Sequence, residues 1–185
     1  MTDTLSLDPR TTALLAMDLQ RGILESLPDS GALLGRTAGL LRAARSAGVR
    51  VVYVVVAFRP GHPEASPRNK AFAGIRDSGR LVEGSPGTEI HPDVAPEPGE
   101  VVVTKRRVGA FGSTDLDVVL RANGIDTLVL AGIATSGVVL STLRHAADAD
   151  YSLVVAHDCC ADRDDEVHRV LCEKVFPRQA TVTTA

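Results

Sequence analysis

The chain has 185 residues, of which 44% are hydrophobic and 23% are charged, and its formal net charge is −3 at pH 7. Chains usually split into domains only beyond roughly 250 residues, so the length predicts one domain over residues 1–185. Aromatic residues make up only 3% of the sequence and tryptophan is absent. A nucleic-acid surface normally needs a basic face and often stacking rings, so we expect a small-molecule partner and no nucleic acid.

The cysteine content and the apolar runs indicate a cytoplasmic protein without a membrane partner. The three cysteines include the adjacent pair Cys159 and Cys160, and neighbouring cysteines rarely bridge each other, so no disulfide framework is expected. The polar segment 1–8 lacks the basic start and apolar stretch of a signal peptide. The longest apolar run, at residues 51–58, is far shorter than the roughly 20 residues that span a bilayer.

Strand and helix patterns alternate along the chain. In chain order they predict a strand at 11–18, a helix at 31–47, a strand at 50–58, a long loop at 59–99, a strand at 100–104, a helix at 113–123, a strand at 125–132, a helix at 136–149, a strand at 151–157, a helix at 162–176 and a strand at 180–184. Asp29 or Ser30 is positioned as the N-cap of the first helix, and Gly48 as its end. Continuously apolar strands indicate a parallel sheet, and hence an α/β domain with helices on both faces.

The long loop at 59–99 is exceptional because it holds seven of the ten prolines. Loops of this length inside a compact α/β unit are usually functional. We therefore expect this segment to be a lid or a wall of a binding site.

Chemistry is expected where the strands end, because ligands of open parallel sheets bind beyond the carboxyl ends of the strands. Asp18 ends the first strand, where burial would raise its pKa and a nearby cation would lower it. Lys105 follows the third strand and is one of only three lysines against 17 arginines, which indicates a role for a compact ammonium. The alternatives are a turn-capping aspartate and a solvated basic loop.

Further candidates lie in the loops. Arg59 and Arg68 carry planar groups that suit carboxylate recognition, although loop arginines are often simply hydrated. Residues 132–138 join a strand to a helix and could bind an anion or oxyanion, but they lack the glycine pattern of a nucleotide loop. The five histidines show no metal-binding spacing, so no metal is expected.

These residues together resemble the isochorismatase-like hydrolase superfamily, which includes nicotinamidases and other cysteine amidases, over about residues 11–184. Residues 17–20 are similar to the first family motif, 104–111 to the second, and 132–138 to the third, which often contains a non-proline cis peptide. The resemblance implies a Rossmann-like three-layer sandwich of about six strands, a hydrolase without a cofactor, and a homodimer or homotetramer. It also implies that Asp18 and Lys105 are catalytic and that the substrate is bound by Gln20, Arg59, Arg68, Phe111, Thr135, Ser136, Gly137 and Val138.

The sequence departs from the amidase members at Val138, where they carry a nucleophilic cysteine at the helix start. Some isochorismatases work without that cysteine and hydrolyse a vinyl ether. By this resemblance, Asp18 would protonate the enol-ether carbon, Lys105 would orient Asp18 or stabilise charge, and Arg59 and Arg68 would hold substrate carboxylates.

Two alternatives remain open. The chain could be an amidase with a displaced nucleophile, for which Cys159 or Cys160 is the candidate; Ser136 or Thr135 could also substitute, although neither has a histidine beside it in sequence. It could instead be a member that binds small molecules without catalysis.

Overall fold

The computed structural model describes residues 5–27 and 30–185. Its centre is a sheet of six strands: β1 (Thr12–Met17), β2 (Arg50–Val56), β3 (Val101–Lys105), β4 (Thr127–Ile133), β5 (Ser152–Ala161) and β6 (Thr181–Thr183). Their order across the sheet is β3-β2-β1-β4-β5-β6, and every neighbouring pair is parallel. The predicted open parallel sheet is confirmed.

Helices cover both faces of this sheet. They are α1 (Arg21–Leu24), α2 (Ser30–Ser46), α3 (Lys70–Asp77), α4 (Leu116–Ala122), α5 (Leu140–Asp148) and α6 (Asp165–Val170). A π turn, Thr135–Val139, precedes α5, and α6 continues through Leu171–Val175 and Phe176–Arg178. No helix of the described residues combines the length and the apolar character that a membrane crossing needs.

Two apolar cores arise because successive strand side chains point to opposite faces. Leu15 and Met17 of β1 belong to one core, which also receives Leu116 and Leu120 of α4. Leu14 of β1 belongs to the other core, together with the leucines of α2. β1 is fully buried at every position, which explains its unbroken apolar sequence.

The largest differences from the prediction are in β5 and in the segment that contains α3. β5 continues to Ala161 because a bulge opposite Leu130–Gly132 lets the strand resume its pairing with β4 at Cys160. Asp158, Cys159 and Cys160 therefore lie inside the strand rather than after it. The short helix α3 was not expected, because it lies within the segment that the sequence predicted as a loop; only Phe72 of its residues is buried.

The segment 59–99 folds over the carboxyl edge of the sheet. It packs against the end of β2 in a small apolar core formed by Val56, Phe58, Ala65, Phe72 and Leu81. Backbone hydrogen bonds attach it to the end of β1, where the amide of His91 donates to the carbonyl of Leu19 at 2.9 Å. We call residues 59–99 the cap.

Two predictions fall partly outside the described residues. Asp29, one of the two N-cap candidates of α2, lies in the gap at 28–29, and the N-terminal segment 1–8 is described only from residue 5. At the other end of α2, Gly48 has a φ of +76°, a left-handed conformation that glycine adopts without steric cost, as expected for a helix stop.

Candidate active site

A cavity of about 320 Å³ opens at the carboxyl edge of the sheet, beside the ends of β1, β3 and β4. The strand order reverses between β1 and β4, and this is the place where ligands of doubly wound sheets bind. Most of the wall is apolar, and it comes from α1, the cap and the turn after β4. The lining residues are Ile23, Val56, Phe72, Ile75, Leu81, Val108, Ile133, Ala134, Gly137 and Val138, with Asp18, Ser26, Lys105, Ser136, Asp162 and Arg163 as the polar members.

Asp18 turns away from β1 at the floor of this cavity. Its φ is +56°, in the left-handed region that few residues other than glycine, asparagine and aspartate adopt. Its amide still donates to the carbonyl of Val54 in β2 at 2.8 Å. The backbone therefore stays attached to the sheet while the carboxyl group is aimed out of the strand direction.

Next to it, a close approach of two strands requires a glycine. Gly132 of β4 pairs with Met17 of β1, and a Cβ at Gly132 would lie 2.2 Å from the Met17 carbonyl oxygen. The φ of Gly132 is +146°, which excludes most side chains as well. The glycine thus lets β4 run directly against the residue that precedes Asp18.

The carboxyl group of Asp18 forms a buried ion pair with Lys105. The Lys105 Nζ lies 2.8 Å from Asp18 Oδ2 and also donates to the carbonyl of Arg107 at 3.1 Å. Burial raises the pKa of Asp18, and the neighbouring Lys105 offsets this only in part. Asp18 Oδ1 is buried and has no hydrogen-bond partner within the described residues. A buried carboxyl oxygen without a protein partner is one that a water or a substrate group can engage.

The turn after β4 forms another part of the wall. It begins with a cis peptide between Ile133 and Ala134, a feature that the family resemblance implies for this motif. The amide of Ser136 donates to Asp162 Oδ2 at 2.7 Å, and the amide of Gly137 donates to the carbonyl of Ala134 at 3.0 Å. Since both amides are already engaged, these two positions do not provide the oxyanion site expected from the sequence.

Val138 lies in the cavity wall, and none of the three cysteines does. Cys159 and Cys160 are instead packed into the two opposite apolar cores. Burial raises the pKa of Cys159 to about 11 and that of Cys160 further still. Neither thiol reaches the cavity, so this geometry does not support the displaced-nucleophile hypothesis for these two cysteines.

The two hydroxyl candidates are separated by the turn. Thr135 is fully buried, and its Oγ1 lies 2.8 Å from Nδ1 of His168, but it does not line the cavity. Ser136 lines the cavity, yet its hydroxyl has no histidine partner among the described residues. Thr135 therefore has a neighbouring base but does not face the cavity, whereas Ser136 faces the cavity but lacks such a base in the described part of the chain.

Two of the residues expected to bind substrate have structural contacts instead. Gln20 is completely buried, and its amide nitrogen donates to the carbonyls of Val56 and Thr88, each at 2.9 Å. Its oxygen accepts from the amide of Val56 at 2.8 Å. Phe111 is buried in the core, where it stacks on His145 with ring centroids 4.5 Å apart. Gln20 thus fixes the cap to the sheet, and Phe111 packs a loop onto α5.

The two cap arginines also lie outside the cavity wall. Arg59 pairs with Glu64, which in turn pairs with Arg106 beyond the end of β3. Arg68 is exposed. A different arginine, Arg163, is among the residues that line the cavity. Sequence reasoning missed Arg163 because it placed this residue at the start of the predicted helix 162–176, whereas the observed helix α6 begins only at Asp165.

The described residues contain no group of three or more His, Cys, Asp or Glu side chains arranged to hold a metal ion. The fold and the Asp18–Lys105 pair define a doubly wound α/β protein whose candidate site is a small cavity with a buried carboxyl group at the switch point of the sheet.

Comparisons with known proteins identify the family. A model described as "Isochorismatase domain" matches residues 12–185, and the chain belongs to the isochorismatase family of hydrolases. It is 35% identical to an uncharacterised isochorismatase family protein, YwoC, of Bacillus subtilis, with 96% of this chain and 92% of that protein covered. It is 33% identical to a maleamate amidohydrolase of Pseudomonas putida, over 95% and 84% of the two chains. The solved structure of an isochorismatase family protein from Burkholderia thailandensis superimposes with a TM-score of 0.82, at 34% identity, over 97% and 93% of the chains.

Proposed function

We propose that this hydrolase cleaves a vinyl ether of a small acid, with Asp18 as the general acid and water as the nucleophile. The observation that supports this most directly is the Asp18 carboxyl group, which is buried in the cavity, held by Lys105 through Oδ2 and left without a partner at Oδ1. A carboxyl group with a raised pKa retains a proton that it can transfer.

The reaction follows from that proton. Asp18 transfers it to the terminal carbon of the C=C bond, and the ether-bearing carbon becomes an oxocarbenium ion. Water adds to this carbon, and the resulting hemiketal breaks its C–O bond to give a ketone and an alcohol. One proton from the added water returns to Asp18. The Lys105 ammonium, 2.8 Å from Oδ2, stabilises the carboxylate that exists between the two transfers.

Water is the proposed nucleophile because the wall offers no thiol. Val138 lies where the family resemblance places the cysteine of the amidase members, and its isopropyl group cannot form a covalent intermediate. The apolar wall has a second effect, since it lowers the local dielectric and strengthens the interaction of Asp18 with Lys105. The cavity volume of about 320 Å³ lies at the lower end of the range for ligand pockets, which indicates a small substrate.

Amide hydrolysis is the second candidate, favoured by the 33% identity to a maleamate amidohydrolase. In that reaction Asp18 would act as the base that activates water for attack on the amide carbonyl. The two reactions need Asp18 in opposite protonation states, so they differ in pH dependence and in the fate of solvent hydrogen.

Turnover in D₂O distinguishes these candidates. Isochorismate, simple enol ethers and maleamate are each incubated with the protein, and the products are followed by proton NMR. Vinyl-ether cleavage places one solvent deuterium on carbon, so isochorismate would give pyruvate with a CH₂D group. Turnover of amides alone would overturn the proposal, and binding without any product would indicate a non-catalytic member.

The matched variants are Asp18→Asn and Asp126→Asn. Both replace a carboxylate by an amide, but Asp126 precedes β4 and lies at the opposite edge of the sheet. We expect Asp18→Asn to lose at least about 10²-fold in turnover, the usual contribution of general acid–base catalysis, and Asp126→Asn to retain it. Full activity of folded Asp18→Asn would contradict the assignment, and circular dichroism checks the folding.

A further inference from the structure

We infer that Arg106 is a positioning residue that holds one wall of the cavity closed. Through ion pairs with Glu64 and Glu83 it clamps the chain on both sides of the cap segment 65–79, which we call the flap. The flap opens as a unit when these pairs break, and its closure completes the cavity around a substrate. The inference rests on the proposed function, because it concerns access to the same cavity.

The flap supplies part of the apolar wall. It contains the helix α3, and two of its side chains, Phe72 and Ile75, line the cavity. Phe72 is buried and packs edge-on against Phe58, with ring centroids 5.4 Å apart. Withdrawal of these side chains would admit bulk water to the cavity floor and raise the local dielectric around the Asp18–Lys105 pair. The position of the flap therefore affects the chemistry of the cavity.

Polar contacts do not attach the flap to the body of the protein. As far as the structure describes the chain, every hydrogen bond and ion pair of residues 65–79 has its partner between residues 62 and 80. Only apolar contacts hold the flap against its surroundings. A segment held in this way opens at a lower free-energy cost than the strands of the sheet do.

Arg106 closes the base of the flap with one guanidinium. Its Nε lies 3.0 Å from Glu64 Oε1, and its Nη2 contacts Glu83 Oε1. One of these glutamates immediately precedes the flap, and the other follows it by four residues. The side chains of Arg106 and Glu64 are only 21% and 13% exposed, so their ion pair is partly shielded from water and is stronger than a fully exposed pair.

The two glutamates depend on Arg106 to different degrees. Glu64 also pairs with Arg59 at 2.5 Å, whereas Glu83 has no other ion pair within residues 5–27 and 30–185. Without Arg106, two neighbouring carboxylates keep a single arginine, Arg59, between them. Their repulsion then favours separation of the two ends of the flap.

The clamp is joined to the end of β3 by adjacent residues. Arg106 directly follows Lys105, whose Nζ donates to the carbonyl of Arg107 at 3.1 Å. Arg107 Nη1 donates in turn to the carbonyl of Glu64 at 3.3 Å. Residues 105–107 thus connect the Asp18–Lys105 pair to the start of the flap, which gives the closed flap a fixed position relative to that pair.

Hydrogen exchange followed by mass spectrometry measures opening of the flap. We expect Arg106→Gln to accelerate exchange in residues 65–79 about five-fold, as for the loss of a partly exposed ion pair, and to leave β1 and β4 unchanged. Arg106→Lys should give a smaller increase, because an ammonium lacks the planar fork that reaches both glutamates. The double variant Arg106→Gln, Glu83→Gln should exchange more slowly than Arg106→Gln, since the repulsion is removed.

Arg76→Gln is the matched control. It makes the same charge change within the flap, but the ion pair of Arg76 is formed with its neighbour Asp77 and stays inside the flap. This variant should exchange as the wild type does. Equal exchange in wild type and Arg106→Gln, or the same acceleration in Arg76→Gln, would overturn the inference. Acceleration spread over β1 and β4 would also overturn it, because Arg106 would then only stabilise the fold.

A thiol in the cavity wall reports access without any substrate. Position 138 lines the cavity, and Val138→Cys is labelled with iodoacetamide or with the bulkier N-phenylmaleimide. Arg106→Gln in this background should accelerate labelling by the maleimide by about the same factor as the exchange, and labelling by iodoacetamide less. Loss of a nearby charge acts on both reagents, whereas opening of the flap favours the larger one. An equal change for both reagents would contradict control of access by the flap.

Kinetics separate positioning from chemistry. For whichever of isochorismate or maleamate is turned over, Arg106→Gln should raise KM about five-fold and leave kcat within about two-fold, because only the closed fraction binds substrate tightly. A lower kcat with an unchanged KM would overturn the positioning role.

The outcome is separable from that of the proposed function, because exchange and thiol labelling need no turnover. Acceleration confined to the flap in Arg106→Gln, combined with a failure to deuterate any product in D₂O, would overturn the vinyl-ether reaction alone. Deuterium incorporation with unchanged flap exchange in Arg106→Gln would overturn the role of Arg106 alone.

Discussion

Lys105 and Asp18 form an ion pair at 2.8 Å with side chains that are only 3% and 7% exposed. In such a position each charge depends on the other, because neither can recover its hydration. Removing one partner therefore leaves the other buried and unpaired, whereas removing both does not.

The first prediction concerns the stability of variants of this pair. At a pH above the folded pKa of Asp18, where its carboxylate is the countercharge of Lys105, Asp18→Asn should lower the free energy of unfolding by about 3–5 kcal/mol, because the ammonium is left unpaired. The double variant Asp18→Asn, Lys105→Met should recover most of that loss, yet remain as inactive as the single variant. Urea unfolding curves and turnover measured on the same samples check both statements. A double variant no more stable than Asp18→Asn would show that the ammonium does not need this partner.

The second prediction is the pH dependence that follows from the raised pKa of Asp18. A carboxyl group whose folded pKa lies above its unfolded value of 3.8 stabilises the fold fully below pH 3.8, and this contribution is lost as pH rises through the folded pKa. The unfolding free energy of the wild type, minus that of the double variant, should therefore decrease as pH rises above 3.8. In the same direction, kcat/KM for a vinyl ether should fall on the alkaline side, where Asp18 has lost its proton. A difference that increases with pH would mean that the attraction of Lys105 outweighs burial and lowers the pKa of Asp18.

The third prediction separates the two possible roles of Gln20. Gln20→Leu should destabilise the protein by about 1–3 kcal/mol, because the buried amide of Val56 loses its acceptor. The KM should change little, since Gln20 does not line the cavity. Gln179→Leu is the control, because Gln179 is half-buried and bonds an exposed arginine. A higher KM without a loss of stability would restore the substrate-binding role that the sequence indicated.

The fourth prediction concerns thiol reactivity. Native protein should react very slowly with iodoacetamide at pH 7.5, because burial raises the pKa of Cys159 and Cys172 to about 11 and the thiolate is the reactive form. Val138→Cys should introduce one thiol that reacts faster than these, since it lines the same cavity as the Lys105 ammonium. Val139→Cys, at a fully buried core position, should stay unreactive. Intact-mass spectrometry counts the labels, and equal labelling of both variants would contradict the geometry of the turn.

The proximity of Asp18 and Lys105 was accessible to sequence reasoning for a specific reason. The strands are recognisable from their unbroken apolar runs, and the carboxyl ends of parallel strands meet at one edge. Asp18 and Lys105 each stand at such an end, so their proximity follows from the topology alone. The same reasoning could not place side chains carried by the cap, whose path depends on many weak contacts.

The arginines illustrate the difference. A long side chain reaches several ångströms in any direction, and a local acid decides where it lies. Arg59 forms an ion pair with Glu64. The sequence analysis of this segment rested on its prolines, and their spacing does not predict that ion pair. Arg163 was missed for the opposite reason, because the bulge in β5 carries the strand further than its apolar run and moves the following loop to the cavity.

Gly132 has a consequence for how this protein can vary. With the Met17 carbonyl 2.2 Å from where a Cβ would stand, even a methyl group would force β1 and β4 apart immediately below Asp18. Because Asp18 directly follows Met17, a wider gap between the two strands would displace the proposed proton donor as well as weaken the backbone hydrogen bonds between β1 and β4. Gly132 is therefore not a useful position for substitutions in directed evolution. Substitutions that change the substrate range are better placed in the cap and in the loop after β5.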